Sequence, residues 1–149
     1  IWASLEGHTE IVGLLLEKGA DPEAKTNRGW ANFGKTALIW ASLETALIWA
    51  SRYGRTKIVG PLLEKGADLE AKNNGGYTAL IRASDKGHTA IVELLLEKGA
   101  YPEAKDTDGD TALILASGKG HTEIVKLLLE KGADLGGQGR PRTMVATRR

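Results

Sequence analysis

Apolar residues recur along this chain in clusters that have the spacing of a helix face. Between Thr89 and Lys98 the apolar cluster consists of Ile91, Val92, Leu94, Leu95 and Leu96. This stripe is wider than the single face that a helix buries when it packs on one side only. The pattern therefore predicts an amphipathic helix that is buried against neighbours on both sides.

These clusters belong to a unit that repeats every 33 residues. The segment Thr78–Ser84 recurs as Thr111–Ser117 and, upstream, as Thr45–Ser51. A Gly-x-Thr-x-Ile-Val segment follows each copy, and then comes Leu-Leu-Glu-Lys-Gly-Ala. A fixed period of this length predicts stacked supersecondary units, none of which buries its apolar face alone.

The repeat pattern predicts that each unit consists of a short helix, a turn, a longer helix and a loop. The first helix carries small residues where two helices must approach closely, and Thr78 and Thr111 stand where an N-cap oxygen is needed. Gly99 and Gly132 follow a lysine at the end of the second helix, which is typical of a left-handed stop. Loops such as Asn73–Gly76 are rich in turn formers.

At this point the unit resembles the ankyrin repeat. That family's pattern of Gly-x-Thr-Pro-Leu-His-x-Ala, Gly-His, Ile-Val-x-Leu-Leu-Leu and Gly-Ala-Asp matches about four units over residues 1–134. The resemblance implies an all-α ankyrin-repeat solenoid of stacked helix-turn-helix units with short hairpin-like loops. The expected divisions are units at about 1–30, 45–77, 78–110 and 111–134, a 14-residue insertion at about 31–44, and a basic, disordered tail at 135–149.

Three departures from the family pattern affect the prediction. Pro-Leu-His is replaced by Ala-Leu-Ile, so we expect Ile48, Ile81 and Ile114 to substitute apolar packing for the hydrogen bonds of that histidine. The aspartate of Gly-Ala-Asp is replaced by Tyr101 in one unit, and the histidine of Gly-His is replaced by Arg55 in another.

The repeat spacing breaks once. Gly19–Asp21 and Gly66–Asp68 are 47 residues apart, which is 14 more than the period, and Thr36–Glu44 is a tandem copy of the segment that starts at Thr45. Nine residues of α-helix turn through about 900°, so the two copies face opposite sides. We assign the second copy, which keeps the register with Thr78, to the stack. The first copy is an added helical turn or an enlarged loop, and a binding role and an accidental duplication both stay open.

Composition and charge narrow the function classes. With 42% hydrophobic and 26% charged residues the chain is expected to fold, and a net charge of +1 gives no global attraction to nucleic acid or membranes. Because there is no cysteine, disulfides, thiolate zinc sites and a thiol nucleophile are excluded. Residues 135–149 carry four arginines and no acid, a pattern more typical of a solvated end than of a nucleic-acid site. We expect a monomeric fragment of a larger intracellular, cytoplasmic protein.

One motif suggests nucleotide chemistry. Gly29–Thr36 satisfies Gly-x4-Gly-Lys-Thr, a pattern whose backbone amides, lysine and hydroxyl bind phosphates and Mg²⁺. Such a loop needs a buried strand before it, whereas Asp21–Arg28 is polar, and no apolar run ending in aspartate supplies a second Mg²⁺ ligand. Nucleotide binding at 29–36 therefore remains a distant alternative.

The sequence pattern does not support a metal site or a catalytic site. After Asp106–Asp110, Thr111 stands where a calcium loop needs a glycine and Ser117 stands where it needs a glutamate, so we predict a repeat turn with exposed acids. His8, His88 and His121 occupy equivalent places about 10 Å apart in adjacent units, too far for a shared metal. They are predicted to be turn residues, and we predict no catalytic residue, no metal, no cofactor and no enzyme activity.

The aromatic residues fall into two groups. Trp2, Trp40 and Trp49 follow isoleucine in the first helix, which predicts core or inter-repeat packing. Trp30 and Phe33 lie in the insertion and have no repeat position to fill. They are candidates for binding anchors, and packing back onto the stack is the alternative.

The resemblance implies a non-catalytic module that binds a protein partner through its loop tips and the first helices on its concave face. The candidate contact residues are Arg52, Tyr53, Tyr77, Asp85, Lys86, Asp108, Asp110, Lys119, Trp30 and Phe33. Tyr53 and Tyr77 are the best anchors because aromatic residues dominate binding hot spots. The alternative is a structural or spacer segment of a longer repeat array.

One second helix is expected to be weak. Pro61 stands where other units have Leu94 or Leu127. If Thr56 caps this helix, Pro61 lacks the amide that would bond the Lys57 carbonyl, a defect of about 3 kcal/mol.

Overall fold

The structure, a computed structural model, describes residues 9–20 and 46–135 of the chain. Within these ranges the chain forms seven helices: α1 Thr9–Glu17, α2 Ala46–Arg52, α3 Thr56–Glu64, α4 Ala79–Lys86, α5 Thr89–Glu97, α6 Ala112–Lys119 and α7 Thr122–Glu130. β-Structure in the described residues is limited to one isolated bridge between Lys105 and Thr111. The prediction of an all-α repeat solenoid is confirmed.

The predicted starts of the first helices and stops of the second helices are confirmed. The Thr78 hydroxyl oxygen accepts a hydrogen bond from the backbone N–H of Ile81 at 3.3 Å, and Thr111 does the same at the start of α6. Gly99 and Gly132 have φ angles of 93° and 88°, in the left-handed region. The local chemistry of the repeat therefore sets these helix ends.

The start of α3 differs from the prediction, because Arg55 rather than Thr56 is the N-cap residue and no side chain caps this end. The backbone N–H of Thr56 donates to the carbonyl of Gly54 at 3.0 Å, and Arg55 has φ −82° and ψ 65°. This is an inverse γ-turn, which makes Thr56 the first helical residue. His88 and His121 form the same turn before α5 and α7.

The helices stack in two rows. The first helices α2, α4 and α6 pack on one another, as do the second helices α3, α5 and α7, while α1 packs on α3. The first row is the more closely packed, because its buried contact residues are small: Ala46, Ala50, Ser51, Ala79, Ala83, Ser84, Ala112 and Ala116. The resemblance to the ankyrin repeat implies that the first helices line the concave side of the stack.

A continuous apolar core lies between the two rows. Ile91, Val92, Leu95 and Leu96 of α5 are buried, as the wide apolar stripe predicts. Ile48 and Ile81 are also buried, but Ile114 is 43% exposed, so the packing predicted for it is wrong. No helix within the described residues packs beyond the last unit to cover Ile114.

Candidate partner-binding surface

The residues of α4 that reach solvent define one face of the first helices. In α4 only Arg82, Asp85 and Lys86 reach solvent, and their i, i+3, i+4 spacing places them on one side of the helix. The equivalent residues of the units before and after lie 33 positions away. We call the nine residues together the inner surface: Trp49, Arg52, Tyr53, Arg82, Asp85, Lys86, Leu115, Gly118 and Lys119.

An aromatic cluster with one arginine occupies the N-terminal end of the inner surface. The rings of Trp49 and Tyr53 are stacked with centroids 5.2 Å apart and planes 4° from parallel. The guanidinium carbon of Arg52 lies 5.5 Å and 5.4 Å from the two centroids, a cation–π geometry. Trp49 is buried, which confirms the packing predicted for it, while Tyr53 is 40% exposed. Two predicted contact residues, Arg52 and Tyr53, thus come together over a tryptophan predicted only as core.

A second arginine–aromatic pair joins a loop tip to the inner surface. Tyr77 directly precedes the N-cap of α4, and the guanidinium carbon of Arg82 lies 3.7 Å from the centroid of its ring. Arg82 is absent from the residues that the sequence singles out. The signal that could have found it is that its repeat position varies between units, with Trp49, Arg82 and Leu115 inside an otherwise constant segment.

The remaining charged residues of the inner surface differ in accessibility. Lys86 Nζ forms an ion pair with Asp85 Oδ2 at 3.3 Å, and the lysine side chain is 43% exposed against 12% for the aspartate. Lys119, the equivalent of Lys86 in the next unit, is exposed. Of these three charged side chains, the two lysines are accessible to solvent and Asp85 is largely covered.

The acidic residues of the loop tip at 106–110 differ in exposure from the prediction. Asp106 is buried, and its Oδ1 accepts hydrogen bonds from the backbone N–H groups of Asp108 and Asp110, both at 2.9 Å. The predicted exposure of the acids is therefore wrong for Asp106, because its carboxylate shapes the turn. Asp108 is exposed and Asp110 half-buried, and Asn73 performs the same task in the preceding tip.

The histidines between paired helices bind the preceding unit, which sequence reasoning missed. His88 Nε2 lies 3.0 Å from the carbonyl oxygen of Arg52, and His121 Nε2 lies 3.1 Å from that of Asp85. Because a carbonyl oxygen only accepts, Nε2 is the donor in both bonds. These bonds hold the backbone of two inner-surface residues in place.

Glutamates in the loops make a second set of bonds between units. Glu70 Oε1 accepts the backbone N–H of Tyr101 at 2.8 Å, and Glu103 Oε1 accepts that of Asp134 at 2.7 Å. The replacement of the family's aspartate by Tyr101 leaves this bond intact, because the donor is main chain. Recurrence at 33 residues was the available sequence signal for these glutamates.

Several sequence predictions fall on residues outside the described ranges. These are the contact candidates Trp30 and Phe33, the phosphate-loop match at 29–36, the insertion at about 31–44, and the basic tail at 135–149 except for its first residue. The predictions for Trp2, Trp40 and His8 also lie outside these ranges. Within residues 9–20 and 46–135, no three His, Asp or Glu side chains are grouped closely enough to hold a metal ion. None of the helices described there has the length and apolar character needed to cross a membrane.

Paired helices, a 33-residue period and an exposed row of first helices define a helical repeat protein. The comparison with family models identifies the repeat: "Ankyrin repeats (3 copies)" matches residues 42–106, and "Ankyrin repeat" matches 1–27 and 108–139. The chain therefore belongs to the ankyrin-repeat family, as its sequence pattern predicts. Ankyrin repeats are generally protein–protein interaction modules and are typically non-catalytic. No curated protein matches the sequence.

Proposed function

We propose that this array is a non-catalytic interaction module whose protein partner contacts the inner surface and the loop tips. The proposal rests on the sequence positions at which the units differ. The three described first helices and the residues beside them share the pattern Thr-Ala-Leu-Ile-x-Ala-Ser-x-x, and the three variable positions are those of the inner surface. They read Trp, Arg, Leu at the first position, Arg, Asp, Gly at the second and Tyr, Lys, Lys at the third.

This distribution supports recognition rather than a purely structural role. A spacer needs the buried frame alone and places no demand on the exposed positions. A binding surface needs a constant frame that holds different chemical groups in each unit. The array combines a constant frame with a varying face that changes from aromatic and cationic in one unit to mainly cationic in the next.

The aromatic cluster is the best candidate for the energetic centre. Tyr53 offers an exposed ring that already stacks on Trp49, so little side-chain entropy is lost when a partner covers it. Tyr77 is held in the same way by Arg82. Aromatic residues and arginine dominate hot spots, where a single truncation removes about 2 kcal/mol of binding or more.

Position-specific photo-cross-linking tests the proposal. Benzoylphenylalanine is introduced at Tyr53 on the inner surface and, as the matched control, at Glu93 on the exposed side of α5. Irradiation in a lysate of the source cells is expected to give discrete adducts from position 53 and none from position 93. The adducts should disappear when Arg52 and Tyr77 are also changed to alanine.

A control triple variant separates binding from folding. Changing Glu93, Glu97 and Lys126 to alanine alters three exposed second-helix positions, and the position-53 adducts should survive in it. Helical circular dichroism should stay nearly unchanged in the control triple variant, because exposed substitutions shift stability by no more than about 0.5 kcal/mol each. The same measurement on the variant with Arg52 and Tyr77 changed shows whether it stays folded, since these two side chains are half-buried. Equal adducts from both faces would contradict the inner-surface assignment and favour the spacer alternative.

A further inference from the structure

Positive charge is concentrated on the inner surface of the described stack. The inner surface carries Arg52, Arg82, Lys86 and Lys119 against one acid, Asp85, a net charge of +3. The second helices α3, α5 and α7, together with the lysine that directly follows each of them, carry five lysines and five glutamates, a net charge of 0. The inner surface is therefore electropositive although the chain as a whole is nearly neutral.

The two arginines of the inner surface are held by aromatic rings. Arg52 lies within 5.5 Å of the Trp49 and Tyr53 centroids, and Arg82 lies 3.7 Å from that of Tyr77. A stacked guanidinium keeps donors in the plane of its fork, the geometry that binds a carboxylate through two parallel hydrogen bonds. Because stacking restricts these side chains beforehand, less entropy is lost when a carboxylate binds.

The spacing of the cations matches an extended chain. Adjacent helices in such a stack are about 10 Å apart. An extended polypeptide rises about 3.3 Å per residue, so one repeat unit corresponds to about three residues of a bound strand. Cations occur in each of three successive units, at Arg52, at Arg82 with Lys86, and at Lys119.

We propose that the inner surface binds an acidic, extended segment of the partner protein, with carboxylates at every third residue and a large apolar residue beside the first. The apolar residue covers the ring of Tyr53, and the carboxylates meet the cations of the three units in turn. The inference rests on the proposed function and specifies the chemistry of its partner.

A polypeptide fits this surface better than a nucleic acid does. Asp85 interrupts the cations in the middle unit, and Asp108 and Asp110 place further negative charge at the neighbouring loop tip. A strand with a phosphate on every residue meets repulsion at these points, whereas a peptide with spaced acids avoids it. The bound segment therefore follows the helices rather than the acidic tip.

Peptide selection on the full 149-residue chain tests the proposal. A random 12-residue library displayed on phage is selected against the protein. Enriched peptides are expected to carry excess Asp and Glu at three-residue spacing next to an aromatic or large aliphatic residue. Their affinity, measured by fluorescence anisotropy, should fall several-fold between 50 and 300 mM NaCl because screening weakens exposed charge pairs.

Matched charge reversals locate the binding face. Changing Lys86 and Lys119 to glutamate should weaken a selected peptide by about tenfold or more, because each reversal replaces an attraction to a carboxylate with a repulsion. Changing Lys98 and Lys126 to glutamate makes the same change in net charge on the second-helix side and should leave the affinity within about twofold.

The outcomes separate this inference from the proposed function. Selected peptides that lose binding with the Lys86 and Lys119 reversals but carry no acidic excess would overturn the inference and retain the proposed function. Peptides insensitive to both reversals, or no enrichment at all, would overturn both. Tighter binding of an oligo(dT) probe than of every selected peptide would overturn the inference in favour of a nucleic acid.

Discussion

Gly87 ends helix α4 of one repeat unit and lies against His121 of the next. Its φ of 79° lies in the left-handed region, and a Cβ atom there would stand 2.7 Å from Cε1 of His121 in the next unit. Gly120 has nearly the same φ, 76°, but a Cβ there would meet nothing within 4 Å. The two glycines therefore share a conformational requirement, and only Gly87 has a steric one as well.

This pair makes a matched test. Gly120→Ala should lower the free energy of unfolding by about 1–2 kcal/mol, the cost of a left-handed alanine. Gly87→Ala should lose about 1–3 kcal/mol more, because the methyl group displaces the His121 ring. Urea unfolding of both variants measures the difference. Equal losses would show that the contact with His121 contributes nothing to stability.

Asp106 acts through its side-chain oxygen rather than through its charge. Asp106→Ala removes the acceptor of two backbone N–H groups and should lower the free energy of unfolding by about 1–3 kcal/mol. Asp106→Asn should be nearly neutral, since Asn73 performs this task in the preceding tip. Asp108→Ala, at an exposed position, is the control and should change stability by no more than about 0.5 kcal/mol. Thermal melts of the three variants decide whether the carboxylate oxygen has this role.

At the scale of helices, α3 is the element with a built-in defect. Pro61 lies inside it, and Gly60 precedes that proline. Proline has no amide for the Lys57 carbonyl, a defect of about 3 kcal/mol, and an interior glycine adds up to about 1 kcal/mol. Because repeat stability is a sum of unit and neighbour terms, the unit with α3 should open before the unit with α5.

Hydrogen exchange tests the weakness of α3. Amides of residues 56–65 should exchange faster than those of residues 89–98, the equivalent positions around α5. Pro61→Leu should raise the melting temperature by several degrees, because leucine restores the amide and fits where Leu94 and Leu127 are partly buried. Equal protection of the two helices would contradict this expectation.

Gly60→Ala isolates the smaller part of the defect. A Cβ at Gly60 would meet nothing within 4 Å, so alanine should fit without strain. The free energy of unfolding should rise by about 0.5–1 kcal/mol, the usual helix-interior difference between these residues. Urea unfolding measures this rise, and an unchanged or lower midpoint would show that Gly60 is needed for another reason.

At the scale of the whole molecule, the 14-residue excess between two Gly-Ala-Asp segments remains a sequence prediction. Deleting residues 31–44 restores near-normal repeat spacing. The deletion should raise the melting temperature of the stack and weaken any partner that is anchored on Phe33. Cross-linking yields at position 53, compared before and after deletion, measure the second effect. A lower melting temperature would show that the inserted residues support the array.

The sequence alone was sufficient for the repeat, its helices and most of their ends. Thr78, Gly99 and the stripe around Ile91 act through local bonds and burial that every unit repeats, so their chemistry can be read from one unit. The same period also located the exposed positions that vary, Arg52 and Tyr53 among them. Neighbours within one helix turn are fixed by the backbone itself.

Only the tertiary structure decided which side chains meet across units and across loops. The bond from His88 to the Arg52 carbonyl joins residues 36 positions apart, and it depends on how closely one unit stacks on the last. The stacking of Arg82 on Tyr77 and the burial of Asp106 depend on rotamers and turn geometry that no spacing encodes. Ile114 and Ile81 have the same local sequence, but Ile81 is buried and Ile114 is exposed. In a stacked array, burial of a side chain depends on the neighbouring unit as well as on the residue itself.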